Sequence, residues 1–147
     1  DGYLSITDRK KQIIVTAGGK NIAPQPIEAL IKRDPIVAEA MLIGDRRSFV
    51  TALLIPDFTV LEQRLARDGL EGGSWAELAI REDVLGIFQL VVDETNVELA
   101  RFQQVKRFAL LPVQFSVLTG ELTPTMKIKR RVVEARWNDE IERLYTT

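Results

Sequence analysis

The 147-residue chain contains neither cysteine nor histidine. Without cysteine there can be no disulfide, no thiolate metal site and no cysteine nucleophile, a composition that suits the cytosol. The missing histidine excludes more, because imidazole is the commonest general acid or base near neutral pH. Chemistry here must rest on lysine, arginine, carboxylates, hydroxyls or backbone amides. No apolar run approaches the roughly 20 residues of a transmembrane helix, and no signal-peptide pattern is present. Basic and acidic residues nearly cancel, 20 against 21, so the domain as a whole is not built as a nucleic-acid clamp. A GxxxxGK[ST] phosphate loop, internal repeats, low-complexity tracts and linkers are also missing.

What remains has the composition and length of one soluble globular unit spanning 1–147. The chain begins at Asp1 without an initiator methionine, which predicts a longer parent. Leu4 to Ile6 and Ile13 to Val15 read as strands able to pair as a hairpin, with Tyr3 a buried aromatic. The stripe Ile27, Leu30, Ile31 predicts a helix ending at Asp34-Pro35, because a residue before proline is pushed from helical angles. Ile36 to Ile43 and Val50 to Ile55 form a strand, turn, strand pattern closed by Pro56. Phe58, Leu61 and Leu65 mark a short helix. Ser74-Trp75-Ala76-Glu77 has capping-box form and opens a helical stretch to about Ala100, broken near Arg81 to Asp83. Val105 to Leu111 is a further strand, Val113 to Val117 alternate irregularly, and Gly120 to Met126 is a loop. From Ile128, Val133, Trp137, Ile141 and Leu144 predict a terminal amphipathic helix with Trp137 as a core anchor. The expected class is α+β: a small mixed β-sheet with an N-terminal hairpin, helices packed on it and a C-terminal amphipathic helix.

Two stretches carry candidate chemistry. In Asp8 to Glu28 a charged segment, Asp8-Arg9-Lys10-Lys11, runs into β-branched residues and then Gly18-Gly19. Those glycines allow a sharp turn or direct backbone approach to a ligand, and Pro24 and Pro26 sit in a first helical turn. The same pattern also fits a plain surface hairpin entering a helix. In the second stretch, Lys127, Lys129, Arg130 and Arg131 place four cations in five positions at a helix start, where the helix dipole disfavours them. Aromatic stacking partners for nucleic acid are missing from this patch. Lys127 and Lys129 share a face in extended backbone, so alternation alone does not choose between them.

DGYLSITDRKKQIIVTAGGKNIAPQPIE and GELTPTMKIKRRVV together resemble the two signatures of the C-terminal domain of the AMP-forming adenylating enzymes. That superfamily comprises acyl-CoA synthetases, luciferases and peptide-synthetase adenylation domains, and the wording looks most like the long-chain fatty acyl-CoA ligase branch. The resemblance implies a mobile lobe. On its register Lys127 is the catalytic lysine of acyl-adenylate formation. Arg9 contacts nucleotide ribose or phosphate, Lys11 is the hinge, Gly18 and Gly19 line the path of the pantetheine arm, and Lys20 meets phosphates in the thioester-forming arrangement. Met126 stands where a glycine is usual, Pro124 lies inside the loop, and Asp8 replaces a glycine; the long-chain branch shares the Met126 and Pro124 variant.

The implied substrates are a fatty acid, ATP and coenzyme A, with Mg2+ in the full-length enzyme and no metal ligand assigned on this chain. The implied partner is the chain's own N-terminal domain, which would carry the fatty-acid and adenine pockets, with an acidic ribose-binding residue just before Asp1. No nucleic-acid partner is implied. The location would be cytoplasmic, with peripheral membrane contact allowed, and the domain alone would be inactive. Two other readings stay open at this point. One is an adenylating enzyme for another carboxylic acid; the other is a noncatalytic module whose Lys127 to Arg131 patch binds nucleic acid or anionic lipid.

Overall fold

The computed structural model describes residues 13–146. Its frame is a three-stranded sheet of β3 (Val37–Ile43), β4 (Val50–Pro56) and β5 (Val105–Leu110), in that spatial order. A two-stranded hairpin of β1 (Ile14–Val15) and β2 (Asn21–Ile22) precedes it. β3 and β4 pair antiparallel across the Gly44 to Phe49 turn, whereas β4 and β5 are parallel. A parallel pair needs a crossover connection. Here it is made by α2 (Phe58–Arg67), α3 (Trp75–Ile80), α4 (Glu82–Val97) and a single 3-10 turn, Arg101–Gln103.

The apolar runs in β3 and β4 follow from burial on both faces. Ala40, Leu42, Ala52 and Leu54 point into a core with Ile27 and Ile31 of α1 (Pro24–Ile31), Phe58 and Leu61 of α2, and Phe88 of α4. The alternate residues Met41, Ile43, Leu53 and Ile55 face a second, smaller core with Val133 and Ile141. These belong to α5 (Arg130–Arg136) and α6 (Asn138–Leu144). The α+β class with a small mixed sheet is therefore observed.

Local signals explain the helix boundaries. Asp57 caps α2 by accepting from the Val60 amide at 3.1 Å. Ser74 and Glu77 complete the capping box of α3, at 3.2 and 2.9 Å. Arg81 is extended, with φ −78° and ψ 133°, and divides α3 from α4, where the break is expected.

One expectation needs correction, and another falls partly outside the described residues. The terminal amphipathic stretch forms two helices, not one, because Trp137 leaves helical geometry at φ −109°, ψ 25°. It starts at Arg130 and not at Ile128, which is held in an antiparallel bridge to Leu122. Val15 pairs with Asn21 inside its own hairpin. Its outward amide and carbonyl are taken by Asp45 Oδ1 at 3.1 Å and the Arg46 amide at 2.8 Å. Leu4 to Ile6, the expected partner of Ile13 to Val15, and Tyr3 lie outside the described residues.

Candidate functional site

The hairpin that carries Gly18 and Gly19 is closed at its base by Thr16. The Thr16 amide donates to the Lys20 carbonyl at 3.0 Å, the Gly19 amide donates to the Thr16 carbonyl at 2.9 Å, and the Lys20 amide donates to Thr16 Oγ1 at 3.1 Å. Gly19 has φ +85°, and a Cβ at either glycine would meet nothing within 4 Å. Gly18, Gly19 and Lys20 are all exposed. The turn is therefore an open backbone surface. Its root is fixed to the β3–β4 turn by the Val15 contacts and by the Ala17 amide, which donates to the Arg47 carbonyl at 2.9 Å. Lys20 Nζ lies 5.5 Å from the ring centre of Phe102. Nothing in the sequence pattern singled out Phe102, since this contact joins segments some eighty residues apart.

Lys127 stands at the end of a second tight tip. The Thr123 amide donates to the Lys127 carbonyl at 2.8 Å, the Met126 amide to the Thr123 carbonyl at 2.7 Å, and the Lys127 amide to Thr123 Oγ1 at 3.1 Å. The loop between them is Pro124, Thr125 and Met126. It has the three-residue hairpin form in which the last loop residue is left-handed, and Met126 has φ +66°. That conformation is costly for a side chain with a Cβ, by ~1–2 kcal/mol, and it occurs where the resemblance expects glycine. Lys127 is exposed, and among the described residues no carboxylate lies within ion-pairing distance of it.

The tip is anchored from behind by Glu121, only 4% exposed. Its carboxylate accepts from Arg136, from Thr119 Oγ1 and from the Ser116 amide at 3.3 Å. Burial pushes this carboxyl up. The hydrogen bonds from Thr119, the Ser116 amide and its own amide, with Arg136, outweigh burial and hold it below the usual carboxylate range.

The four cations are not equivalent, because one of them is paired. Arg130 is turned inward, with Nη2 2.7 Å from both oxygens of Glu28. Glu28, on α1, is 7% exposed and also accepts from the Leu42 amide at 2.7 Å. Arg130 Nη1 reaches the Leu42 carbonyl at 3.4 Å. One ion pair thus engages both backbone groups of Leu42 on the outer edge of β3 and joins the helix after the glycine turn to the helix after the lysine tip. Lys127, Lys129 and Arg131 remain exposed. Lys129 stands at the N-cap position of α5 without a side-chain cap, its amide bonded to the Glu121 carbonyl at 2.7 Å. A groove of about 340 Å³ separates the hairpin root at Ile13 and Ile14 from Arg130 and Arg131. The structure thus brings the roots of both sequence-predicted stretches together around one groove. Arg9 and the expected hinge, Lys11, lie outside the described residues.

Comparison with known proteins gives a consistent result. Residues 11–147 match the family model described as AMP-binding enzyme C-terminal domain. The chain is 40% identical over 146 residues to long-chain-fatty-acid–CoA ligase FadD15 of Mycobacterium tuberculosis, covering 99% of this chain and 24% of that protein. It is 35% identical over 164 residues to long-chain-fatty-acid–CoA ligase ACSBG1 of Rattus norvegicus, covering 99% and 23%. The chain therefore spans about a quarter of the curated relatives it matches. Among solved structures, the adenylation domain of a carboxylate reductase from Mycobacterium chelonae superposes with a TM-score of 0.72 at 20% identity, over 90% of this chain and 19% of that one. That likeness bears on the fold.

Proposed function

Because the chain belongs to the family of AMP-binding enzyme C-terminal domains, we propose that it is the mobile C-terminal lobe of an ATP-dependent long-chain fatty acid–CoA ligase. The observation that carries this reading is the exposure of both the Gly18-Gly19 turn and the Lys127 tip. Each is a hydrogen-bonded projection free to meet an outside partner, and neither is spent in the core. The relatives named as long-chain-fatty-acid–CoA ligases supply the substrate class.

In the first half-reaction a carboxylate oxygen attacks the α-phosphorus of ATP, the bond to the β-phosphate oxygen breaks, and pyrophosphate leaves. Negative charge crowds at that centre. The Lys127 ammonium, on a long stem from a braced tip, neutralises it as the new bond forms. No proton is transferred to or from the lysine, so no histidine is required. In the second half-reaction the sulfur of coenzyme A attacks the acyl carbonyl and AMP leaves; the thiol proton passes to solvent. Gly18 and Gly19 leave room for the thin pantetheine arm beside bare backbone, while Lys20 faces the phosphates. ATP would bring Mg2+ with it as the counter-ion of its phosphates, and no residue of this chain is assigned to hold the ion. Rotation about Lys11 exchanges the two arrangements, a hinge device that lets one nucleotide site serve both steps.

Lys127→Ala in the full-length chain tests the assignment. Adenylate formation should fall roughly 100- to 1000-fold, the usual cost of one preorganised donor, while thioester formation from supplied acyl-adenylate survives. Equal loss of both steps would refute the division of labour. Lys129→Ala should change adenylation little, and the reverse outcome would exchange the two lysines.

A further inference from the structure

The Gly18-Gly19 turn and the Lys127 tip are built on one plan. Each has a threonine at its base, three loop residues of which the third is left-handed, and a lysine closing the loop. Thr16-Ala17-Gly18-Gly19-Lys20 and Thr123-Pro124-Thr125-Met126-Lys127 share all three bonds. The threonine amide donates to the lysine carbonyl (3.0 and 2.8 Å), the third loop amide to the threonine carbonyl (2.9 and 2.7 Å), and the lysine amide to the threonine hydroxyl (3.1 Å in both). The left-handed residues are Gly19 at φ +85° and Met126 at φ +66°. In both tips the hydroxyl takes the lysine amide, so the threonine side chain holds the backbone from which the lysine departs.

We infer that Thr16 and Thr123 are positioning residues, each aiming one lysine at the shared nucleotide: Thr123 aims Lys127 for adenylation and Thr16 aims Lys20 for thioester formation. This rests on the functional reading above. The two threonines should fail in different half-reactions although their local geometry is the same, an outcome that a purely structural role would not produce. Thr16 is 8% exposed, and valine has nearly the shape of threonine, so Thr→Val removes the hydroxyl without opening a cavity. Serine keeps the hydroxyl.

The test uses the full-length chain with Thr123→Val, Thr16→Val, the two serine variants, Lys127→Ala and Lys20→Ala. Adenylation is read from pyrophosphate release with fatty acid and ATP. Thiolation is read from acyl-CoA formed on adding acyl-adenylate and coenzyme A. Thr123→Val should lower the adenylation kcat about tenfold, the worth of one hydrogen bond, with KM for ATP and the thiolation rate unchanged. Thr16→Val should do the converse, and each serine variant should stay close to the parent. Loss of both half-reactions in either valine variant, loss of neither, or failure of serine to restore the rate overturns the inference. If the lysine variants split the half-reactions but the threonine variants do not, only this inference falls. If the lysine variants do not split them, the functional reading falls and takes the inference with it.

Discussion

At the scale of single residues, the decisive groups are those whose side chains hold backbone in place. Glu121 is the clearest case. Its carboxyl is held below the usual range in the folded chain, so the unfolded chain binds the proton more readily. The stability it contributes is fully present above the ordinary glutamate value and is lost as pH falls through the depressed one. Glu121→Gln should be less stable than the parent at neutral pH and should show a flatter decline between about pH 5 and pH 2 in urea denaturation. Parallel acid limbs for the two proteins would remove Glu121 from this role.

Residue identity was legible in the sequence only where a residue's partner lies nearby. Ser74 and Glu77, three apart, could be read as a capping box. The inward turn of Arg130 could not, because its partner Glu28 is 102 positions away. Four neighbouring cations look alike in sequence, and only tertiary contacts divide them into three exposed charges and one part-buried partner. Met126 gave a partial signal. A side chain at a position where related loops carry glycine implies either a changed turn or a strained one, and the turn is the strained kind.

At the scale of elements, apolar periodicity located the helices and strands well, because burial dictates both. The divided terminal helix escaped it. Val133, Trp137, Ile141 and Leu144 all pack on the second core, so the stripe runs straight through the break and carries no mark of it. The brace between α1, β3 and α5 was equally invisible, although it fixes how the elements meet. Arg130→Ala would leave Glu28 buried without its cation, and loss of one partner of such a pair costs about 3–5 kcal/mol. Glu28→Gln should cost less, since the amide oxygen can still accept from Leu42. A double-mutant cycle by chemical denaturation measures the coupling, and additive effects would show that the pair contributes no more than its separate parts.

At the scale of the whole molecule, a sheet buried on both faces and a brace between the two candidate ends tie the described elements into one packed body. On the proposed mechanism, both half-reactions are then reached by turning this body and not by bending it. Spin labels at Ala17 and Leu118, introduced as cysteines into a full-length chain otherwise cleared of cysteine, should report the same narrow distance with ATP and fatty acid bound as with coenzyme A and AMP bound. A label on the upstream lobe paired with Leu118 should report a change. A shift in the first pair would mean internal rearrangement of the lobe.

The contacts at Leu42 have one more effect. An outer strand normally presents unpaired amides and carbonyls on which another molecule can grow a β-ladder. Here both backbone groups of Leu42 are engaged by the side chains of Glu28 and Arg130. The ion pair therefore blocks self-association at this point on the sheet rim, so a chain that loses it is exposed to aggregation as well as to unfolding.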